Sequence, residues 1–400
     1  MKTVYLCEPI RTPVGKYGGS LAGVRPDDMA AGILRELLNR TALDPAAVDD
    51  VILGCANQAG EDNRNIARMA LLLAGMPDSV PGVTVNRLCA SSLEAVIQGA
   101  RAIRSGEAEI IIAGGVESMS RAPYSLPKNS SGAAMFGNLT AYDTALGWRY
   151  PNPAMEKLFP LEVMGETAEN LVEKFTISRE DQDAFALRSH QRAIAAQQAG
   201  HFNDEIVPVR IPQRKGDDIV VATDEQPRAD TTLDKLAKLG AAFRKGGSVT
   251  AGNSSSLNDG AAAMILASED AVRTHNLKPI ARYVAGHAAG VSPRIMGIGP
   301  VYAIGGALTK AGLSIADIGL VEINEAFASQ VLSCQRELGV NPDILNIDGG
   351  AIAIGHPLGM SGARVTGHLA RTMQRTGTRY GVASLCIGVG QGLAVVIERA

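Results

Sequence analysis

The amino-acid sequence predicts an α/β protein made of two similar halves with a segment inserted between them. Short apolar strand patterns alternate with helix patterns in residues 1–120 and again in residues 271–400, which is typical of α/β units that bury a sheet. The two stretches present their elements in the same order, and 400 residues are more than one hydrophobic core usually serves. We therefore expect a duplicated domain, with residues 1–120 as the first half, completed by about 246–270, and residues 271–400 as the second half.

The individual elements support this duplication. A proline opens the first helix of each half, at a position where its missing N–H costs nothing. The patterns predict, in the first half, helices at Pro26–Leu38 and Ser91–Ile103 and strands at Val51–Leu53, Val83–Arg87 and Ile110–Ala113. They predict, in the second half, helices at Pro300–Lys310 and Ser361–Met373 and strands at Leu320–Ile323, Ile344–Ile347, Tyr380–Leu385 and Gly392–Ile397. The last of these strands is apolar and β-branched, as the centre of a sheet requires.

Residues 121–245 have a different character. They hold many of the charges, several prolines and two helix patterns, Thr167–Phe175 and Arg179–Ala199. The second helix follows Ser178 and begins with acidic residues, which is a typical N-terminal capping pattern. We interpret this segment as an inserted lid, a kind of element that often carries ligand contacts.

Composition excludes several classes of function. The formal net charge is -3 without a long basic block, so nucleic-acid binding is not expected. No apolar run is long enough to span a bilayer, and neither end resembles a secretory or targeting signal, which favours a cytoplasmic enzyme. The five cysteines are far apart and predict neither disulfides nor a metal site.

Cys89 lies where a strand pattern ends and a helix pattern begins. The dipole and free N–H groups of a helix N-terminus favour the thiolate, and such turns present nucleophiles in α/β folds. A buried structural cysteine is the alternative for this string taken alone.

Three further segments follow strand patterns in the second half. Asn324 could offer an amide to an oxygen or a bound water, although a helix N-cap is the alternative. His356, between a glycine and a proline, is placed as a general base. Cys386 precedes Gly388, whose backbone N–H could approach a ligand; a Gly-rich turn is the alternative there. Together these groups form a nucleophile, base and acid set.

At this point the sequence resembles the thiolase family over essentially its whole length. The strings that carry the resemblance are Arg11-Thr12-Pro13, Asn86 to Cys89, Gly114 to Ser120, Ala251 to Asn253, Asn258 to Ala262, Asn324 to Phe327, Gly355 to Gly359 and Cys386 to Gly388. The resemblance implies thiolase-like halves layered α-β-α-β-α. It also implies a homodimer or homotetramer and coenzyme A as a co-substrate, with no permanently bound cofactor.

The resemblance also implies residue roles. Cys89 is acylated, His356 activates Cys89 or the CoA thiol, and Cys386 transfers the proton at the α-carbon of the acetyl unit. Asn324 orients a water that holds the thioester oxygen together with His356, and the Cys89 and Gly388 N–H groups form a second oxyanion hole. The residues implied for CoA are Ser255, Arg228, Met164 and Phe327.

The chain departs from the usual family strings at a few positions. The nucleophile string reads Cys89-Ala90-Ser91-Ser92 in place of Cys-Gly-Ser-Gly, Asp348 stands where Asn is usual, and Val163 stands where a lid histidine is common. None of these changes removes a catalytic group, so they bear on the substrate rather than on the reaction.

Several strings look like the branch of the family that cleaves 3-oxoadipyl-CoA to succinyl-CoA and acetyl-CoA. They are Gly54 to Asn65, Tyr142 to Thr144, Gly147 to Arg149 and Cys386 to Gly390. A buried substrate carboxylate needs a cationic or hydrogen-bonding partner. We hypothesise that Arg149 is this partner, with a solvated lid arginine as the alternative. The alternative functions are an acetyl-CoA acetyltransferase, a general 3-ketoacyl-CoA thiolase and, more remotely, a non-catalytic thiolase-like lipid carrier.

Overall fold

A computed structural model describes residues 1–128 and 138–400 of the chain. Residues 129–137, which belong to the predicted lid, lie outside this description. Within the described ranges, no helix combines the length and apolar character needed to cross a membrane.

The strands are β1 (Val4–Arg11), β2 (Gly15–Lys16), β3 (Asp50–Gly54), β4 (Gly82–Val85), β5 (Ile110–Ser118), β6 (Tyr124–Ser125), β7 (Tyr142–Asp143), β8 (Val209–Ile211), β9 (Ile219–Val221), β10 (Asn258–Ser268), β11 (Pro279–Gly290), β12 (Leu320–Ile323), β13 (Tyr380–Ile387) and β14 (Gln391–Arg399). The helices are α1 (Pro26–Thr41), α2 (Ile66–Leu73), α3 (Ser91–Ser105), α4 (Pro153–Leu158), α5 (Met164–Phe175), α6 (Arg179–Gln198), α7 (Leu233–Ala237), α8 (Glu269–Thr274), α9 (Gly299–Ala311), α10 (Ala328–Leu338), α11 (Ala351–Ile354) and α12 (Leu358–Thr376).

The large sheet repeats one strand pattern. Its order is β12-β13-β14-β11-β1-β10-β5-β3-β4, with β2 beside β10. In the first half β3 is parallel to β5, which is antiparallel to β10, which is antiparallel to β1. In the second half β12 is parallel to β13, which is antiparallel to β14, which is antiparallel to β11. The predicted duplication of an α/β unit is therefore confirmed.

The three larger apolar clusters of the described residues lie between the layers of the fold. The central core joins α3 and α12, through residues such as Leu93 and Leu369, to inward side chains from both halves of the sheet. A second core packs α1 and α2 on the outer face of the first half, and a third packs α9 and α10 on the outer face of the second. This is the α-β-α-β-α layering that the sequence predicted.

One predicted strand, Ile344–Ile347, is wrong. The structure has only an isolated bridge there, between Leu345 and Val321. The side chain of Asn346 makes the next pair of hydrogen bonds to β12 in place of the backbone. Its Nδ2 donates to the Ile323 carbonyl and its Oδ1 accepts from the Ile323 N–H, both at 2.9 Å. Its φ of +47° turns the chain out of the sheet, a conformation that asparagine tolerates better than most residues.

Two other boundaries shift near the strand ends. Strand β4 ends at Val85, two residues before the predicted end at Arg87. Helix α12 begins at Leu358, three residues before the predicted start at Ser361.

The predicted lid contributes the short strand pairs β6–β7 and β8–β9 and the helices α4 to α7. Its two predicted helices are confirmed as α5 and α6, and the Ser178 hydroxyl caps α6 by accepting from the Asp181 N–H at 3.0 Å. After the lid, β10 enters the sheet between β1 and β5. The division of the chain at residues 121 and 245 remains a prediction.

Candidate active site

Cys89 lies in a tight turn between β4 and α3. The turn, Leu88–Ala90, is a short 3₁₀ segment, and Leu88 has a φ of +47°, a strained conformation for a leucine. Hydrogen bonds hold it: the Leu88 N–H donates to Asn86 Oδ1 at 2.8 Å, and the Ser91 hydroxyl donates to the Leu88 carbonyl at 2.6 Å. The strand, the turn and the helix thus present a half-buried thiol.

The expected thiolate at this helix start is not the resting form. Burial raises the pKa of the Cys89 thiol to about 11, although hydrogen bonds with the backbone of Gly388 and of Cys89 itself oppose the rise. Desolvation therefore outweighs the favourable backbone dipoles. The nucleophile needs a base to remove its proton.

His356 is buried in the turn before α12 and has a defined tautomer. Its Nδ1 lies 2.6 Å from Ser361 Oγ, and the Ser361 hydroxyl donates its proton to the Pro357 carbonyl at 2.8 Å. Because that hydroxyl proton is already used, the shared proton at Nδ1 belongs to the histidine, and Nε2 carries a free lone pair. Burial, assisted by the nearby Arg364 guanidinium, lowers the pKa of His356 to about 3. His356 is therefore a neutral imidazole with Nε2 as its basic atom.

Asn324 directly follows β12 and faces the same imidazole. Its Nδ2 lies 3.3 Å from His356 Nε2, and its backbone N–H donates to the Ser384 carbonyl at 2.9 Å. The alternative of a helix N-cap is wrong, because α10 begins only at Ala328. The Asn324 Oδ1 is buried and accepts no hydrogen bond from the described protein groups, which fits an acceptor for a water or ligand O–H.

Cys386 lies near the end of β13, among apolar side chains that include Phe327, Met296 and Met164. Burial, together with the nearby Cys89 thiol, raises the pKa of Cys386 well above its usual range. The β13–β14 turn follows at once, with φ values of +64° at Val389 and +83° at Gly390. The contact between Gly388 and Cys89 joins this turn to the nucleophile.

The predicted CoA residues lie at different distances from this centre. The Ser255 N–H donates to the Ala326 carbonyl at 2.9 Å, beside Phe327, whose ring packs edge-on against Phe243 at 6.1 Å. The sulfur of Met164 lies 3.5 Å from where a Cβ on Gly388 would stand. Arg228 is exposed and hydrogen-bonds none of these residues; its N–H donates to His190 Nδ1 at 3.2 Å.

Arg149 is half-buried and is held only by neutral acceptors. One guanidinium nitrogen donates to Asn57 Oδ1 at 3.0 Å and to the Thr144 carbonyl at 2.9 Å, and another donates to the Asn57 carbonyl at 3.1 Å. Within residues 1–128 and 138–400, no carboxylate forms an ion pair with this arginine. Among the described residues, the recorded hydrogen-bond acceptors of Arg149 are therefore all neutral.

Sequence reasoning missed Ser361, Arg364 and Glu117. Ser361 sets the histidine tautomer, and Arg364 is a buried guanidinium near His356. A hydroxyl one helical turn after a Gly-His-Pro string could have signalled Ser361. No local pattern marks the other two, because their roles depend on contacts across the fold.

Known proteins match this chain along its whole length. Residues 4–270 match the family model "Thiolase, N-terminal domain", and residues 277–399 match "Thiolase, C-terminal domain". The chain is 53% identical to the beta-ketoadipyl-CoA thiolase of Acinetobacter baylyi and 54% identical to that of Pseudomonas putida, in each case over 100% of both chains.

Solved structures agree with these matches. The Bacillus anthracis acetyl-CoA acetyltransferase has a TM-score of 0.94 at 44% identity, covering 100% of this chain and 99% of its own. The human mitochondrial 3-ketoacyl-CoA thiolase in complex with CoA has a TM-score of 0.92 at 43% identity, covering 100% and 98%. With this fold, this site and these relatives, the chain belongs to the thiolase family of acyltransferases.

Proposed function

We propose that this thiolase cleaves 3-oxoadipyl-CoA with CoA to succinyl-CoA and acetyl-CoA, through an acyl-thioester on Cys89. The observation that carries the substrate is full-length identity above half with the beta-ketoadipyl-CoA thiolases of A. baylyi and P. putida. Arg149, which forms no ion pair with a carboxylate of the described residues, supports it independently, because this substrate ends in a carboxylate.

The first half-reaction breaks the carbon–carbon bond. His356 Nε2 accepts the Cys89 proton as the sulfur attacks the 3-oxo carbon. With pKa values of about 3 and about 11, the free ion pair is unfavourable, so proton transfer accompanies the attack. The backbone N–H groups of Cys89 and Gly388 stabilise the oxyanion on the attacked carbon. The C2–C3 bond then breaks, leaving a succinyl thioester on Cys89 and the enolate of acetyl-CoA.

The enolate oxygen is held by His356 and by a water oriented by Asn324, and Cys386 donates its proton to the enolate carbon. The apolar surroundings of Cys386 favour its neutral thiol, the form that donates. His356 first returns its proton to the Cys386 sulfur, and its neutral Nε2 then accepts the proton of the CoA thiol as the CoA sulfur attacks the succinyl thioester. The tetrahedral intermediate expels the Cys89 sulfur, which takes that proton back from His356, so succinyl-CoA leaves and Cys89 is free. A covalent intermediate divides one difficult transfer into two easier steps.

CoA approaches along Ser255 and Arg228 in this proposal, with Met164 and Phe327 as apolar walls. The proximity of Met164 to Gly388 and of Phe327 to Cys386 supports the two walls. The exposed position of Arg228 suits contact with the solvent-facing adenine end of the molecule.

The decisive experiment measures loss of 3-oxoadipyl-CoA and of acetoacetyl-CoA, each with free CoA, for wild type and Cys89→Ser. Faster turnover of 3-oxoadipyl-CoA, abolished in Cys89→Ser, is expected. Preference for acetoacetyl-CoA would instead favour an acetyl-CoA acetyltransferase, the name of a 49% identical relative from Pseudomonas aeruginosa. Undiminished turnover by Cys89→Ser would contradict the mechanism.

Arg149→Met tests the proposed substrate carboxylate partner. We expect KM for 3-oxoadipyl-CoA to rise at least about tenfold, the loss of one charge-assisted hydrogen bond, while KM for acetoacetyl-CoA hardly changes. Arg210→Met, at an exposed position in β8, is the matched control. Equal effects on both substrates would exclude this role for Arg149.

We further propose that the chain forms a homodimer or homotetramer in the cytoplasm. Strand β4 is a free edge of the sheet, and Met69, Leu72 and Val83 nearby are exposed apolar side chains, which together favour self-association. The five cysteines are free, as suits a reducing compartment. Light scattering on wild type and Val83→Lys measures the assembly, and a monomeric wild type would contradict it.

A further inference from the structure

Glu117 is a buried carboxylate near the end of β5 that accepts hydrogen bonds from the backbone of both halves. The donors are the N–H groups of Ala56 at 2.9 Å, Asn57 at 3.0 Å and Gly359 at 2.7 Å. It is 1% exposed, and in the described part of the chain no lysine, arginine or histidine forms an ion pair with it. Burial, assisted by the nearby Asp62 carboxylate, raises the pKa of Glu117 to about 7, although the three backbone N–H groups favour its charged form.

Two of these bonds lead directly to the proposed nucleophile and base. The carbonyl of Ala56 accepts from Asn86 Nδ2 at 2.9 Å, and Asn86 Oδ1 accepts the Leu88 N–H of the Cys89 turn. Gly359 stands three residues after His356, in the first turn of α12.

The third bond leads to the lid. Asn57, whose N–H donates to Glu117, accepts the Arg149 guanidinium through both its side chain and its carbonyl. The same carboxylate therefore connects the three segments that carry the nucleophile, the base and the proposed substrate cation.

The backbone around Glu117 is packed without spare room. A Cβ on Gly359 would stand 2.4 Å from the Val116 carbonyl oxygen, and a Cβ on Gly115 would stand 2.0 Å from the Gly359 carbonyl oxygen. The start of α12 therefore lies directly against β5, and a small change in these hydrogen bonds is transmitted to the turn that carries His356.

We propose that Glu117 is a positioning residue, which holds the Cys89 turn and the His356 turn at the separation that the reaction needs. This inference rests on the proposed roles of Cys89 and His356. Glu117 itself touches backbone N–H groups and moves no proton of the substrate.

Glu117→Gln tests the inference, because it keeps the side-chain shape but replaces one acceptor oxygen by an NH₂ group. We expect kcat for acetoacetyl-CoA thiolysis to fall on the order of 10- to 100-fold through misplacement of the two turns, with little change in KM. The rate of Cys89 alkylation by iodoacetamide should fall in parallel. That rate reports on the thiol and its base without requiring turnover.

Asp49→Asn is the matched control. Asp49 also accepts two backbone N–H groups, those of Glu109 at 2.7 Å and Ile110 at 3.0 Å, but at the opposite end of β5. The Asp49→Asn variant should keep the kcat and the Cys89 alkylation rate of wild type. If Glu117→Gln does not fold, Glu117→Asp, which keeps the carboxyl group on a shorter side chain, is measured by the same criteria.

The inference is overturned if the folded Glu117 variant keeps kcat and the alkylation rate within twofold of wild type, or if both fall only in proportion to the folded fraction. Undiminished turnover by Cys89→Ser would instead contradict the proposed function. The two failures are therefore distinguishable.

Discussion

The two halves of this thiolase share a strand pattern but differ in what their strand ends carry. Val51 of β3 lies beside Ile112 of β5, as Val321 of β12 lies beside Val382 of β13. Gly54 lies three residues after Val51, at the end of β3, and Asn324 lies three residues after Val321, directly after β12. Val116 lies four residues after Ile112 in β5, and Cys386 lies four residues after Val382 in β13. The two positions of the first half thus carry a glycine and an apolar side chain, whereas the equivalent positions of the second half carry an amide and a thiol to which we assign catalytic roles.

Packing explains the difference. A Cβ on Gly54 would stand 2.2 Å from the Ser92 backbone nitrogen, so the start of α3 closes the strand ends of the first half. That close contact places the Cys89 turn firmly on the sheet. The second half leaves room at its strand ends for Asn324 and Cys386. In the proposed mechanism, therefore, the first half holds the nucleophile and the second half supplies the base, the amide and the acid.

Replacing the two equivalent residues of β5 and β13 should have very different effects. Cys386→Ala removes the proposed proton carrier and should lower kcat at least about a thousandfold. Val116→Ala should cost about 2 kcal/mol of stability and leave kcat of the folded enzyme within a few-fold of wild type. Steady-state thiolysis of acetoacetyl-CoA and thermal unfolding measure both variants. Similar kcat losses in Cys386→Ala and Val116→Ala would contradict the proposed functional difference between the two strand ends.

Asn324→Ala should cause the next largest decrease in kcat. It removes an amide that faces His356 Nε2 and an acceptor for the oriented water. We expect kcat to fall about 100- to 1000-fold, as for the loss of one oxyanion-hole donor, with an unchanged unfolding temperature. Acylation of Cys89 by acetyl-CoA, followed by mass spectrometry, should survive better than the carbon–carbon bond step. Equal loss of both steps would argue against an enolate role.

Gly54→Ala tests whether the first half depends on backbone contact. The added Cβ meets Ser92 and should destabilise the fold by about 1–3 kcal/mol, while slowing Cys89 alkylation. Gly32→Ala is the control, because nothing lies within 4 Å of a Cβ there and alanine should stabilise α1 by about 0.5–1 kcal/mol. Chemical denaturation of both variants measures the change in the free energy of unfolding. A Gly54→Ala protein as stable as wild type would show that α3 can move.

Two buried histidines sharpen the comparison within the second half. His356 faces Asn324 and Ser361, and its pKa is lowered. His368 lies 3.0 Å from Glu205 and 3.2 Å from Asp348, whose negative charges raise the pKa of His368 to about 10 against the effect of burial. The acidic partners decide the sign of the shift.

This raised pKa predicts a dependence of stability on pH. A histidine with a raised folded pKa contributes its full stabilisation below the unfolded value of about 6.5 and loses it as pH rises towards 10. The unfolding temperature of wild type should therefore decrease between pH 6.5 and 10, and His368→Gln should lose this part of the decrease. Parallel curves for the two proteins would contradict a charged His368.

Sequence reasoning singled out Cys89, Asn324 and Cys386 as candidates because each lies at or just after the end of an apolar strand pattern, and the structure has β4, β12 and β13 at those places. It placed His356 after a further strand pattern.

The predicted strand Ile344–Ile347 was wrong, because the Asn346 side chain makes the hydrogen bonds to Ile323 that a strand backbone would make. Sequence reasoning also expected a thiolate at Cys89, whereas burial raises the pKa of that thiol to about 11. It included Glu117 in a family string, Gly114 to Ser120, but assigned it no role, because the contacts of Glu117 come from Ala56, Asn57 and Gly359, which are distant in sequence.

The sequence by itself determined the alternation of strands and helices, the duplication and the strings that identify the family, because these depend on local periodicity and residue order. The tertiary structure decided the pKa shifts of Cys89 and His356, the neutral hydrogen-bond partners of Arg149 and the hydrogen bonds of Glu117. Desolvation and long-range partners set these properties. The partners come from segments far apart in the chain, so no local pattern contains them.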